Sequence, residues 1–98
     1  MSGSNKPSGS FTGVGVGIGV SVNNEFNIFL QGTFEAQLII EVSADDGANY
    51  MPDMSIDLMP VTLTKPGSYQ GYQPEKGILT RIRCVSYVSG PVYWRISQ

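Results

Sequence analysis

The residue types that most often carry catalysis are scarce in this chain and poorly placed. There is no histidine and a single cysteine, Cys84. A nucleophilic thiol or hydroxyl needs a base beside it, usually an imidazole, before it becomes reactive. Cys84 lies in an apolar alternation, which predicts a small buried thiol whose pKa is raised rather than lowered. A lone cysteine also excludes an internal disulfide and any multi-cysteine metal site. The eight acidic residues are scattered over turns and outward strand positions, so no pair is spaced for glycoside hydrolysis. Asp45 and Asp46 offer two carboxylates that Ca²⁺ accepts in other settings, yet two acids in a tight turn are ordinarily turn residues. Gly13-Val14-Gly15 is no dinucleotide loop, because the glycines alternate without a stop and no helix follows. The expectation is a non-enzymatic protein with no cofactor and no metal.

Interaction chemistry is better represented. Gly13 to Val22 reads Gly-Val-Gly-Val-Gly-Ile-Gly-Val-Ser-Val. On a strand this places Val14, Val16, Ile18, Val20 and Val22 on one face and glycine or serine on the other. Glycine weakens a strand interior and gives it nothing to pack. Such a ribbon is expected to order only by docking, on its own domain or on a neighbouring subunit; an ordinary first strand with a tight neighbour is the plainer alternative. A second cluster, Arg81, Arg83, Tyr87, Tyr93 and Arg95, is predicted on an outward face. Arg and Tyr are enriched where proteins meet, but Glu35 and Glu41 on an adjacent strand could equally neutralise the arginines as cross-strand pairs. Tyr50, Met51, Pro52 and Met54 in one loop, and Tyr69 and Tyr72 in another, are either sticky patches or core edges. Exposed aromatics on β-loops also suit sugar binding.

The elements that must hold these residues are strands. No window keeps apolar residues at spacings of three and four, and turn formers interrupt the chain every 8 to 12 residues, the rhythm of a sandwich or barrel. Asn23-Asn24 is expected to turn the ribbon into a strand with Phe26, Ile28 and Leu30 on one face. Ala36, Leu38, Ile40 and Val42 should form the core face of the next strand, with Glu35, Gln37, Ile39 and Glu41 opposite. Asp45-Asp46-Gly47 is a strong hairpin signal, with Tyr50 to Leu58 as the return strand. Residues 68–77 should hold a short edge strand and a turn. In the strand from Ile78 to Val88, the even positions are predicted on one face and Leu79, Arg81, Arg83, Val85 and Tyr87 on the other. A last strand carries Val92, Trp94 and Ile96 inward.

The predicted fold class is all-β: a small antiparallel β-sandwich, Ig-like or jelly-roll-like, with an extended Gly-rich N-terminal arm. The organisation is a flexible tail over 1–12, the Gly/Val arm or first strand over 13–22, and a β-sandwich domain over 23–98. At 98 residues there is room for one domain. Only 14% of residues are charged, against about a quarter in typical soluble domains, which suggests a partner-covered surface. The net charge of −2 with six basic residues argues against nucleic acid as a partner. The N-terminus lacks the pattern of a secretory signal, and the Gly stretch is too short and polar to span a bilayer as a helix. A cytoplasmically made protein with no membrane partner is expected.

Two resemblances attach to these patterns. Ser43-Ala44-Asp45-Asp46-Gly47-Ala48-Asn49-Tyr50 resembles the Asp-box, Ser-x-Asp-x-Gly-x-Thr-Trp, a structural hairpin of sialidase-like propellers. One copy implies a well-formed turn, with Asp45 accepting backbone N–H bonds and Tyr50 packed beneath. Residues 26–98 are similar as a block to small β-sandwich structural proteins of tailed bacteriophages. The similarity runs through Gln31-Gly32-Thr33-Phe34, the Asp45-Asp46-Gly47 hairpin, Lys65-Pro66-Gly67, Gly71-Tyr72-Gln73-Pro74-Glu75-Lys76-Gly77 and Ser89-Gly90-Pro91-Val92-Tyr93-Trp94. That resemblance implies a virion component on the capsid surface, a decoration or cement protein. Its partners would be the major capsid protein or other virion subunits, and it would form a homo-oligomer such as a dimer or trimer. A virion-borne host-surface or carbohydrate-binding module, and a head–tail or tail ring component, are the alternatives.

Overall fold

Two-residue alternation punctuated by turn formers produces eight strands. The computed structural model describes residues 7–54 and 61–98. The strands are β1 (Ser8–Phe11), β2 (Gly15–Val16), β3 (Val20–Gln31), β4 (Glu35–Ser43), β5 (Met51–Pro52), β6 (Thr62–Leu63), β7 (Gly67–Ser89) and β8 (Val92–Ser97). Among the described residues there is no helix. Every strand pair is antiparallel, and the sheet runs β1-β8-β3-β7-β4-β5, with β2 added to β7 and β6 to β4.

The long strands β3 and β7 set the shape. One stretch of β7 receives β2 and β3 in tandem: Gly15 pairs with Cys84, Val16 with Arg83, Val20 with Thr80 and Val22 with Ile78. Pairing resumes at Asn24 with Gln73 and continues to Leu30 with Gly67. Two steps along β3 therefore match five along β7, and residues 74–77 bulge out. Asn24 takes a left-handed φ of 62° at the same level. Bulges bend strands and increase their twist, so both long strands bend at this level and divide the sheet into two halves. One half holds β1, β8, the end of β3 and the start of β7. The other holds β2, the start of β3, the end of β7, and β4 to β6.

Residues from both halves of the sheet meet in one core. Phe26, Ile28, Leu30, Val92, Trp94 and Ile96 from the first half join Val20, Val22, Leu38, Ile40, Ile82 and Cys84 from the second in one buried cluster. With no helix to cover the sheet among the described residues, the strands' own apolar side chains bury one another. That is the packing a two-period sequence can supply.

Several boundaries differ from the sequence reading. Asn23-Asn24 lies within continuous β3 rather than at a turn, since the backbone stays paired on both sides of it and the extra residues bulge from β7. Residues 68–77 belong to one continuous β7. From the N-terminal tail, Ser8–Phe11 pairs with β8 as β1, anchored by the buried Phe11. The Asp45-Asp46-Gly47 hairpin forms, with Val42 opposite Met51 and Glu41 opposite Pro52. Residues 55–58 of its expected return strand lie outside the described residues, as does the start of the tail, residues 1–6.

Candidate functional site

The Gly/Val ribbon docks on its own domain through the pairing of Gly15 and Val16 with β7 and the close approach of Gly17 to Trp94. A Cβ added to Gly17 would stand 3.0 Å from Trp94 Cζ2 and 3.3 Å from the carbonyl oxygen of Ile82, and the Gly17 N–H donates to that same carbonyl at 2.8 Å. Glycine is the residue that lets a backbone approach this closely. The indole of Trp94 is gripped from the other side by Gly9 of β1, where an added Cβ would also be 3.0 Å from the ring.

This orientation corrects the expectation that all five aliphatic side chains share a face. The pairing slips by one residue between Val16 opposite Arg83 and Val20 opposite Thr80. A slip of one residue sends following side chains to the other side of the sheet. Val20 and Val22 are consequently core residues, 7% and 1% exposed, while Val14, Val16 and Ile18 point outward at 69%, 53% and 62%. The bulk of Trp94 is the physical reason: glycine, and not valine, fits above it.

The outward aliphatic row continues onto β7. Val14, Val16, Arg83 and the exposed Val85 border a shallow groove of about 350 Å³. Next to it, Glu41 of β4 is 4% exposed and accepts hydrogen bonds from Arg81 Nε at 2.7 Å and Arg83 Nη1 at 3.3 Å. The guanidinium of Arg81 also lies 3.7 Å from the centroid of the Tyr50 ring, and Met51 beyond it is exposed. The result is an aliphatic strip bordered by Arg83, whose guanidinium, like that of Arg81, is tied to Glu41.

The structure divides the other predicted cluster. Arg81 and Arg83 adjoin the aliphatic row, with Glu41 as their cross-strand partner; Glu35 is opposite Ser89 and plays no such part. Tyr87 does not face outward. Gln37 pairs with Ser86 and Leu38 with Cys84, so Val85 bulges and the following residues change sides. The Tyr87 ring packs against the core cluster. Tyr93 and Arg95 sit on β8, which is bordered by β1 and β3 and not by the end of β7. Arg95 lies over Phe29 at 5.1 Å. Sequence reasoning placed Tyr50 beneath the turn but missed its contact with Arg81, because the pairing of β4 with β7 that creates it joins segments about 40 residues apart.

The remaining chemistry-bearing groups are committed locally. Both oxygens of Asp45 are engaged: Oδ1 accepts from Ser43 Oγ at 2.7 Å and from the Asn49 N–H at 2.9 Å, and Oδ2 from Asn49 Nδ2 at 2.8 Å. These bonds, the Asn49 side chain foremost, lower its pKa to about 2. Cys84 is buried and donates to the Ser86 carbonyl at 3.4 Å; burial raises its pKa. Tyr69 is partly buried and donates to the Lys65 carbonyl at 2.5 Å, which makes it a structural residue rather than a free aromatic. Comparison with known protein families, with curated proteins and with solved structures returns no match.

Proposed function

We propose that this protein is a non-enzymatic bacteriophage virion subunit, a small β-sandwich whose Gly-rich arm serves as a capsid decoration or cement element. The observation that carries this reading is the outward row of Val14, Val16 and Ile18 on an arm whose inner face is already spent on Trp94. Three large aliphatics exposed side by side, continued by Val85 and flanked by Arg83, form a patch of the kind that marks protein contact. The low charge of the chain and the resemblance of its turn-and-strand pattern over residues 26–98 to that of small structural proteins of tailed phages motivate the virion setting. The partner on this reading is the major capsid protein lattice or a second copy of the chain.

Burying the three side chains would contribute about 4–9 kcal/mol per subunit, at about 1.5–3 kcal/mol each. The ordering cost is lowered because the backbone of β2 is already paired with β7. The ribbon's inner end supplies Val20 and Val22 to the core, so a deletion through residue 22 would remove part of the fold. Substitution is the appropriate test. Val16→Asp and Ile18→Asp are expected to abolish self-association in light scattering and co-sedimentation with capsids lacking the protein, with thermal stability unchanged. Association as strong as that of the unsubstituted protein in both variants would overturn the reading.

A further inference from the structure

The outer surface of the other half of the sheet has a different composition. Glu25 is opposite Tyr72, and Asn27 is opposite Gln70. Asn24, Glu25, Gln70, Gly71 and Tyr72 line a groove of about 540 Å³. The lining is two amides, one carboxylate, one phenol and bare backbone; no aliphatic side chain and no cation contributes. Tyr72 is 64% exposed, and among the described residues nothing hydrogen-bonds the side chains of Glu25, Gln70 or Tyr72.

The groove is also built rigidly. At its floor, Gly71 leaves room for the buried Phe26 ring beneath it: a Cβ there would be 2.6 Å from Phe26 Cε2. The side-chain amide of Gln98 crosses from the C-terminal end of the chain and donates to the carbonyls of Asn23 and Glu25. This strap holds the backbone where Asn24 adopts its left-handed conformation. Polar groups on a fixed floor lose little freedom when a ligand binds.

We propose that this groove binds an uncharged pyranose oligosaccharide, with Tyr72 as the platform and the amides of Gln70 and Asn24 reading the hydroxyls. A pyranose presents an apolar C–H face and a rim of hydroxyls that each donate and accept. A solvent-exposed phenol ring matches the first, and a carboxamide, with donor and acceptor side by side, matches the second. The absence of a cation from the lining disfavours a phosphate backbone, and Glu25 disfavours sialic or uronic acids by like-charge repulsion. The lack of aliphatic lining sets it apart from the β2 surface. Farther along the same half of the sheet, Gln31 and the exposed Tyr93 border a second groove with Phe29 and Arg95, which gives a longer chain a second place to rest. The inference does not rest on the role assigned to the arm.

The test is an array of neutral hexose and N-acetylhexosamine oligosaccharides beside sialylated and uronate-bearing counterparts, probed with the full chain. The strongest neutral glycan is then titrated calorimetrically. Saturable binding to neutral glycans is expected. Tyr72→Ala should weaken it about tenfold and Gln70→Ala by about threefold, while Tyr72→Phe, which keeps the ring, should bind like the unsubstituted protein. Ile18→Asp should leave sugar binding intact, which separates a failure here from a failure of the docking surface. Three results would overturn the proposal: no neutral glycan bound at millimolar concentration, preference for the anionic counterparts, or full affinity in Tyr72→Ala.

Discussion

At the scale of single residues, the contact between Gly17 and Trp94 decides what the N-terminal ribbon does. A methyl group at position 17 would stand 3.0 Å from the indole and 3.3 Å from the Ile82 carbonyl oxygen, so these neighbours must give way by a few tenths of an ångström. Gly17→Ala is therefore expected to cost about 1–3 kcal/mol, the usual range for overpacking, read as a lowered midpoint in urea. Faster proteolytic cleavage within residues 12–19 should accompany it. Asp45 makes a separate prediction. Its carboxylate is stabilised in the charged form by Ser43 and Asn49, so its folded pKa, about 2, lies below the unfolded value near 3.8. A depressed acid contributes stability above its unfolded pKa and loses that contribution as pH falls through the folded one. The melting temperature of Asp45→Ala should thus be lower than that of the unsubstituted protein at pH 7, and the gap should close between about pH 4 and pH 2.

At the scale of elements, periodicity located the strands but not the side each residue takes. Leu38, Ile40, Ile82, Val92, Trp94 and Ile96 are inward as their alternation requires. Val14, Val16, Ile18 and Tyr87 are not where an uninterrupted alternation puts them. In each case a one-residue slip against β7 intervenes, and slips depend on the partner strand, which local sequence does not reveal. The turn at Asp45-Asp46-Gly47 was legible because its chemistry is local. The bend shared by β3 and β7 was not, because an Asn-Asn pair and a Pro-Glu-Lys-Gly segment look like turns until they are seen side by side. The same lack of long-range information hid the groove at Tyr72, whose lining comes from two strands. The slip also predicts opposite outcomes for neighbouring aliphatics. Val22→Ala should lower unfolding free energy by about 2 kcal/mol, whereas Ile18→Ser should leave it within about 0.5 kcal/mol, both measured by denaturant titration.

At the scale of the whole molecule, the two halves share one core and are joined by strands that run through both. Neither half can bury its apolar face alone, so a single cooperative transition is expected. Its contacts are mostly non-local: β1 near the start pairs with β8 at the end, Ser8 opposite Arg95. Folding should accordingly take milliseconds to seconds rather than microseconds. Trp94, the only tryptophan, sits at the junction of the halves and reports on both. Stopped-flow fluorescence that showed a fast phase with full amplitude in microseconds would contradict this. The two outer surfaces, one aliphatic beside Arg81 and Arg83 and one with the amide-and-phenol groove at Tyr72, lie on different parts of the sheet and can be altered independently.

The alternation of glycine with aliphatics in the ribbon has a consequence for adaptability. Attachment of the ribbon to its own domain depends on position 17, where the absent side chain lets the backbone approach Trp94, and on backbone pairing. Positions 14, 16 and 18 contribute almost nothing to the core. A lineage, or a designer with a three-site library, can therefore rewrite what the ribbon grips while the scaffold beneath it stays the same.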